Sequence, residues 1–528
     1  MESIEAHIMV SPFHGQGHVF PTVELCKRLA ARGLAVTILV DASIAASVQK
    51  IAESSGLNIR VLELPQSAPP QGAPDHPHPP PGQFTDEAMG EMEDILRGLP
   101  EPPVCIIGDV MGPWMTPLCN KLSIPRASFF TSGACSLAFE HAIWKHRSQM
   151  ESHDAPLEVP GFPPSMTLTP SDTRHGPPPG PPGGAPTGGP PPGGPPPGGP
   201  PPRGLPPGGP RGQGGRRPPR GGPRPGPPPG DGGDGPSNPP WMNGFVDCVG
   251  ALVNTCRELE SPFMEYVIRE TEKPAWAVGP LLPTSFWEES AEAHDSAVRS
   301  GRRSGIDEER CLEWLNARTP ASVLYVSFGS EVGPSDEEMT ELALGLETAG
   351  KPFILVLQEG GEDDGDGSDL LPEGYESRVE GWGLVIRGWA PQLLILSHWA
   401  TGGFLSHCGW NSTVESLGHG VPLLAWPIRG DQHYNAKLLV NELKAAAMVD
   451  IDGESGMVKR ESVAKGVRVL MESEEGVKMR EKARELKGLL RSSVDSAETE
   501  LDDFVFHVLD LAYGKCTEPS ISPSDGDQ

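Results

Sequence analysis

The stretch "FLSHCGWNSTVES", residues 404–416, joins an apolar, strand-like run to a helix-forming segment through Cys408 and Gly409. A strand that passes through a glycine turn into a helix is the repeating unit of a parallel α/β sheet. Two readings fit these residues. In the first, Ser412 and Glu415 form a capping box and the stretch is structural. In the second, the helix N-terminus presents free N–H groups and a positive dipole end, to which His407, Asn411 and Ser412 add side-chain donors. That combination suits an anion such as a diphosphate. One His and one Cys without partners at ligand spacing do not make a metal centre. Cys408 has no evident base and reads as a small buried thiol.

The same rhythm extends in both directions. Towards the N-terminus, "HIMVSPF" (7–13), "AVTILV" (35–40), "VCIIGDV" (104–110), "RASFFTS" (126–132) and "ALVNTC" (251–256) are short β-branched runs, and "PTVELCKRLAARG" (21–33) has helical period. A second series begins at "SVLYVSFGS" (322–330). It continues through a helix over 335–350 with a Ser335–Glu338 capping box, then "FILVLQ", "LVIRGW", "GGFLSH" and "PLLAWP", and ends in a charged helical stretch over 458–492. The fold class is therefore α/β, with two doubly wound, Rossmann-like units facing a cleft, and ligands are expected beyond the carboxyl ends of the strands. Residues 174–238 interrupt the first unit with a Pro/Gly-rich insert carrying Arg203, Arg211, Arg216, Arg217, Arg220 and Arg224. It lacks a strict G-x-y period and has little apolar mass, so it reads as disordered or polyproline-like.

Length and charge narrow the function. The chain has 528 residues, enough for two cores, and a formal net charge of −29. So acidic a body disfavours nucleic acid and anionic lipid as partners. The 9 cysteines form no C-x-x-C pair, which points to free thiols in a reducing compartment. The N-terminus lacks the basic region of a signal peptide, and no run of about 18 apolar residues predicts an integral membrane segment. A cytoplasmic monomer is expected.

From Trp389 to Gln432 the chain reads "WAPQLLILSHWATGGFLSHCGWNSTVESLGHGVPLLAWPIRGDQ". This closely resembles the signature box of the plant secondary-product glycosyltransferases, the family 1 UDP-glycosyltransferases. "PFHGQGHVFP" and "SVLYVSFGS" agree with it, and the resemblance covers all but the insert, the acidic loop near 360–369 and the last dozen residues. It implies a GT-B fold: an acceptor-binding domain over 1–277, a donor-binding domain over 278–495, a helix over 496–514 packing back on the first domain, and a disordered tail over 515–528. It also implies donor-site roles. Trp389 would stack on uracil and Ala390 would bond its edge. Gln392 and Glu415 would hold the ribose. His407, Asn411 and Ser412, helped by Ser330, would take the diphosphate. Trp410, Asp431 and Gln432 would face the sugar.

In the family's pattern the catalytic base is the His before x-x-Pro, here His18, with His14 as a wall residue. Asp109 occupies the position of its carboxylate partner, although an acid beside a turn is also an ordinary helix-start residue. A neutral imidazole takes a proton from a hydroxyl near pH 7, and a carboxylate orients the ring and stabilises its charge. "GQG" followed by "HVF" lacks the third Gly of a dinucleotide fingerprint. Asp364-Gly-Asp366 and Asp450-Ile-Asp452 are Asp-x-Asp patterns, but beside a complete box neither predicts a metal.

The expectation is an inverting transferase using UDP-glucose as co-substrate, with no cofactor, and a small apolar acceptor such as a flavonoid, other phenolic or terpenoid. Phe84, Trp114, Phe139 and Trp144 are candidate acceptor-pocket residues. Another UDP-sugar or a C-glycoside product is an alternative. From a different class comes an interaction protein whose Pro/Gly/Arg insert binds partners and whose body is a silent nucleotide-sugar binder.

Overall fold

The computed structural model describes residues 6–64, 86–152, 155–174, 247–287, 304–330, 332–358, 370–453 and 455–514, with Met242, Gly244 and Phe245. The insert (apart from Arg174), Phe84, Asp364 and Asp366 lie outside the described residues.

Among these residues two parallel sheets form. The first contains β1 (His7–Ser11), β2 (Ala35–Val40), β3 (Ile59–Glu63), β4 (Cys105–Asp109), β5 (Arg126–Phe130), β6 (Ala251–Val253) and β7 (Ala275–Ala277), in the order β3-β2-β1-β4-β5-β6-β7. The second contains β8 (Val323–Ser327), β9 (Phe353–Leu357), β10 (Gly383–Arg387), β11 (Thr401–Ser406), β12 (Leu423–Ala425) and β13 (Ala446–Met448), in the order β10-β9-β8-β11-β12-β13. The central strands β1, β4, β5, β8, β9 and β11 are buried at every residue, because helices cover both sheet faces. That is why their sequences are unbroken apolar runs rather than alternating ones.

Each sheet reverses its strand order once, between β1 and β4 and between β8 and β11. At such a switch point the two crossovers leave in opposite directions and a crevice opens beyond the strand ends. The first crevice receives the loop after β1 and the end of β4; the second receives the loops after β8 and β11.

Helices α1 (Gln16–Ala31), α2 (Ala42–Ser55), α3 (Asp86–Gly98), α4 (Thr116–Leu122) and α5 (Ala134–Ser152) belong to the first sheet. α1 starts five residues before the helix expected from sequence. The Gly15 carbonyl accepts from His18 N at 2.9 Å and Val19 N at 3.0 Å, so the first turn closes well before Pro21, which lies inside the helix. In the second lobe the Ser335–Glu338 capping box is formed. The charged stretch is two helices, Arg460–Glu472 and Glu474–Ser492, broken at Ser473, whose extended backbone and side chain cap the second of them.

The lobes meet along an apolar seam in which Phe139 of α5 stacks on Tyr434 at 5.5 Å. Beside it Lys437 bonds Asp172 at 2.7 Å and the Thr167 carbonyl at 2.6 Å. The last helix, Val494–Tyr513, packs on the first sheet: Phe504 meets Trp276 edge-on at 5.2 Å, and Asp502 accepts from Arg32 at 2.6 Å.

Candidate active site

A cleft of about 550 Å³ is lined by residues of both switch points. On the first lobe His18 sits in the opening turn of α1, directly beyond β1. Its Nδ1 lies 2.7 Å from Asp109 Oδ2 at the end of neighbouring β4, and 3.0 Å from the Thr131 hydroxyl. Asp109 is only 2 % exposed, and its other oxygen accepts from Met111 N at 2.8 Å, which fixes the carboxylate plane. A carboxylate at Nδ1 favours the tautomer with the proton there, leaving Nε2 as the basic nitrogen. His18 lines the cleft, whereas His14, expected as a wall, is exposed against the Phe13 ring at 4.1 Å and lies outside the lining. Thr131 was not singled out from sequence; its only signal is its place just after β5, beside β4.

On the second lobe Cys408 takes a left-handed conformation, φ 62°, and Gly409 is extended, φ −58° and ψ 144°. The helix therefore begins at Trp410 with Gly409 as an N-cap that has no side chain to offer. The capping box expected from Ser412 and Glu415 does not form. Both residues lie inside the helix and bond Gln392 instead, at 3.2 Å and 2.7 Å. The first-turn N–H groups have no intrahelical acceptor, and Gly409, Trp410, Asn411 and Ser412 all line the cleft.

The His407 ring is wedged between two glycines. A Cβ on Gly329 would approach it to 2.9 Å and one on Gly409 to 2.5 Å. Its Nδ1 is buried without a partner among the described residues. Burial, and secondarily the nearby Arg429 charge, hold its pKa down at about 4, so the ring is neutral at physiological pH.

Other box residues form a wall and a floor. Trp389 lies edge-on to Phe20 across the cleft at 6.2 Å, and Ala390 and Ser330 line it nearby. Gln392 accepts from the Tyr325 hydroxyl at 3.2 Å while donating to Glu415. Gln432 accepts from the backbone of Ile428 at 2.9 Å and Arg429 at 3.0 Å, so its amide NH₂ is the end left for a ligand. Asp431 accepts from Ser132 of the first lobe at 2.7 Å. Trp410, expected at the sugar, spends its indole N–H on the Asn254 carbonyl at 2.6 Å and packs its ring where a Cβ on Gly133 would lie 2.7 Å away. It reaches the cleft as an apolar edge and pins the lobes together.

Of the aromatic acceptor candidates, the three described residues, Trp114, Phe139 and Trp144, do not line the cleft. Phe139 is 0 % exposed among Phe162, Phe263 and Tyr434, because α5 turns that face into the core. Trp144 faces His141 on the same helix at 5.7 Å, and Trp114 packs over the α3–α4 cluster. Size and aromaticity select core residues as readily as pocket residues. The first-lobe wall of the cleft is lined instead by Phe13, Phe20, Val110, Met111, Phe130 and Glu140. Among the described residues no group of three or more His, Cys, Asp or Glu could hold a metal ion. Asp450 bonds Lys465 at 2.7 Å, and Asp452 closes a turn on Ser455 at 2.6 Å.

A His–Asp pair at one switch point thus faces a helix N-terminus and a polar floor at the other, across a cleft between two lobes. Residues 307–475 match the family model described as "UDP-glucoronosyl and UDP-glucosyl transferase". The chain is 31% identical to UDP-glycosyltransferase 73E1 of Stevia rebaudiana, over 91% of each chain, and 30% identical to UDP-glycosyltransferase 73C13 of Barbarea vulgaris, over 97% of this chain and 98% of that one. Its fold matches the structure of Phytolacca americana UGT2 complexed with UDP-2fluoro-glucose and pterostilbene, with TM-score 0.67 and 25% identity over 96% of this chain and 100% of that one. The chain belongs to the plant family 1 UDP-glycosyltransferases and is a glycosyltransferase.

Proposed function

We propose that the enzyme transfers glucose from UDP-glucose to a hydroxyl of a small, largely apolar plant metabolite, with inversion at the anomeric carbon. The observation that carries this reading is His18 held by Asp109 across the cleft from the Trp410–His419 helix start. The acceptor lies on the apolar side made by Phe13, Val110, Met111 and Phe130, and its hydroxyl bonds His18 Nε2. As the hydroxyl oxygen attacks the anomeric carbon, its proton passes to Nε2 and the buried Asp109 carboxylate stabilises the imidazolium. The bond to UDP breaks on the opposite face, and its electron pair goes to the β-phosphate oxygen. The N–H groups opening the Trp410–His419 helix, with Asn411, Ser412, Ser330 and neutral His407 as a donor, stabilise the charge that develops there. Trp389 and Ala390 hold the uracil, and Gln392 and Glu415 the ribose. Asp431 and Gln432 read the sugar hydroxyls.

Residues 1–277 supply the acceptor side and 278–495 the donor side of one chain, so a monomer is sufficient. The 8 described cysteines are free and buried, which suits the reducing cytoplasm. No described helix is long and apolar enough to cross a membrane.

The test is UDP release with UDP-glucose, UDP-galactose and UDP-glucuronate against a panel of phenolic and terpenoid acceptors, with the anomeric configuration of the product read by NMR. UDP-glucose is expected to lead and the product to be a β-glucoside. An epimer leaves a buried polar group at Asp431 or Gln432 without its partner, at about 1–3 kcal/mol. Equal use of UDP-galactose, or an α-linked product, would overturn the proposal.

A further inference from the structure

We infer that Arg429, at the tip of the loop after β12, is an additional binding residue for the diphosphate of the UDP-sugar and for the charge that develops on departing UDP. The inference deepens the reading above and rests on it.

Among the described residues lining the cleft, Arg429 is the one Lys or Arg. The donor is a dianion, and it enters a cleft also lined by Glu140, Glu415 and Asp431 in a protein of net charge −29. That field repels it, so a local cation has a purpose there.

The location follows from the sheet. β12 pairs with β11 in register, Ser406 opposite Ala425, so the loops leaving the two strands stand side by side. One carries His407, Gly409 and the helix start; the other carries Arg429, Gly430 and Asp431. The root of the side chain is held in place, because Arg429 N donates to Gln432 Oε1 at 3.0 Å. Arg429 is an exposed residue of the cleft lining.

His407 cannot take this role. Burial keeps its ring neutral, with a pKa of about 4, and the Arg429 charge pushes in the same direction. The imidazole donates a hydrogen bond but carries no charge at physiological pH. Among the described residues lining the cleft, the formal positive charge therefore comes from Arg429, alongside the partial charge of the helix end. When the anomeric C–O bond breaks, the pair of electrons left on the β-phosphate oxygen is drawn towards this guanidinium.

An anion on the UDP-sugar has two sources, the diphosphate or the carboxylate of a uronic sugar, and the experiment separates them. Wild type, Arg429→Leu and Arg429→Lys are compared by calorimetry with UDP alone, and by kinetics with UDP-glucose and UDP-glucuronate. Expected are a fall of about tenfold in UDP affinity for Arg429→Leu at low salt, a smaller fall for Arg429→Lys, and a wild-type advantage that shrinks as ionic strength rises. Unchanged UDP affinity, with loss confined to UDP-glucuronate, would overturn the diphosphate assignment in favour of a sugar-carboxylate contact. Unchanged behaviour with every ligand would overturn it altogether. Wild type failing to bind UDP would overturn this inference and the proposed function together, whereas the other two outcomes leave the proposed function standing.

Discussion

Asn411 Nδ2 donates across the cleft to the Gly17 carbonyl at 3.1 Å, and that carbonyl is the one Pro21 leaves without its helical partner. In α1 the N–H of residue 21 would bond the carbonyl of residue 17, but proline has none. The turn that carries His18 thus presents an acceptor to the Trp410–His419 helix. The first turn of α1 and the start of the Trp410–His419 helix are joined by this one hydrogen bond at the cleft.

Asn411→Ala removes both this bond and a proposed diphosphate donor. A hydrogen bond to a charged group is worth about 1.5–3 kcal/mol, so kcat/KM for UDP-glucose is expected to fall on the order of ten- to a hundredfold. The residue lies at the cleft rather than in a core, so Tm should move little. A kcat/KM within twofold of wild type would show that the contact is incidental.

His18→Ala should lower kcat by about 10²–10⁴ and leave UDP affinity unchanged, since the base and the donor cradle belong to different lobes. Asp109→Asn keeps a hydrogen-bonding side chain but loses the charge that stabilises imidazolium, so it should also lower kcat more than it changes KM. Pre-steady-state turnover with calorimetry on UDP separates the two quantities. Normal turnover in His18→Ala alongside a dead His14→Ala would reassign the base.

The strands and the pairing of His18 with Asp109 were legible because the sheets are buried on both faces. Runs such as "VCIIGDV" then carry unbroken apolar signal, and a His or Asp at their ends lands at a switch point. What escaped depends on conformations or contacts that local pattern does not encode. Pro21 reads as a helix starter, yet the Gly15 carbonyl closes the turn earlier. Ser412 and Glu415 have capping-box spacing, but the left-handed Cys408 starts the helix sooner. The bonds from Ser132 to Asp431 and from Trp410 to Asn254 join residues 299 and 156 positions apart. The first-lobe wall of the cleft gathers residues from several elements, so no periodicity marks it, and the large aromatic Phe139 points into the core instead.

His407 also gives the fold a pH dependence. Its ordinary pKa is 6.5, and in the folded chain it is held at about 4. Between those values the unfolded chain binds a proton that the native chain does not, so stability falls as pH drops from about 6.5 towards 4. His407→Gln should flatten that part of the profile while leaving stability at pH 8 nearly the same. Urea midpoints measured from pH 8 to pH 4.5 test it, and parallel profiles for variant and wild type would contradict the assigned shift.

Gly409 isolates the steric part of the donor cradle. Its backbone, at φ −58°, is open to any residue, so alanine costs nothing conformationally. The added Cβ, however, would sit 2.5 Å from His407 Nε2, and the ring cannot retreat towards Gly329, where the space is already filled to contact. Either the ring turns or the helix start shifts, and both disturb the geometry at which the diphosphate is proposed to bind. Over-packing of this kind costs about 1–3 kcal/mol. Gly409→Ala should therefore weaken UDP binding by about tenfold or more and raise the KM for UDP-glucose. The acceptor KM should stay near that of wild type, because the proposed acceptor side, Phe13, Val110, Met111 and Phe130, lies on the other lobe. Wild-type UDP affinity in Gly409→Ala would show that His407 is not confined by its two glycines.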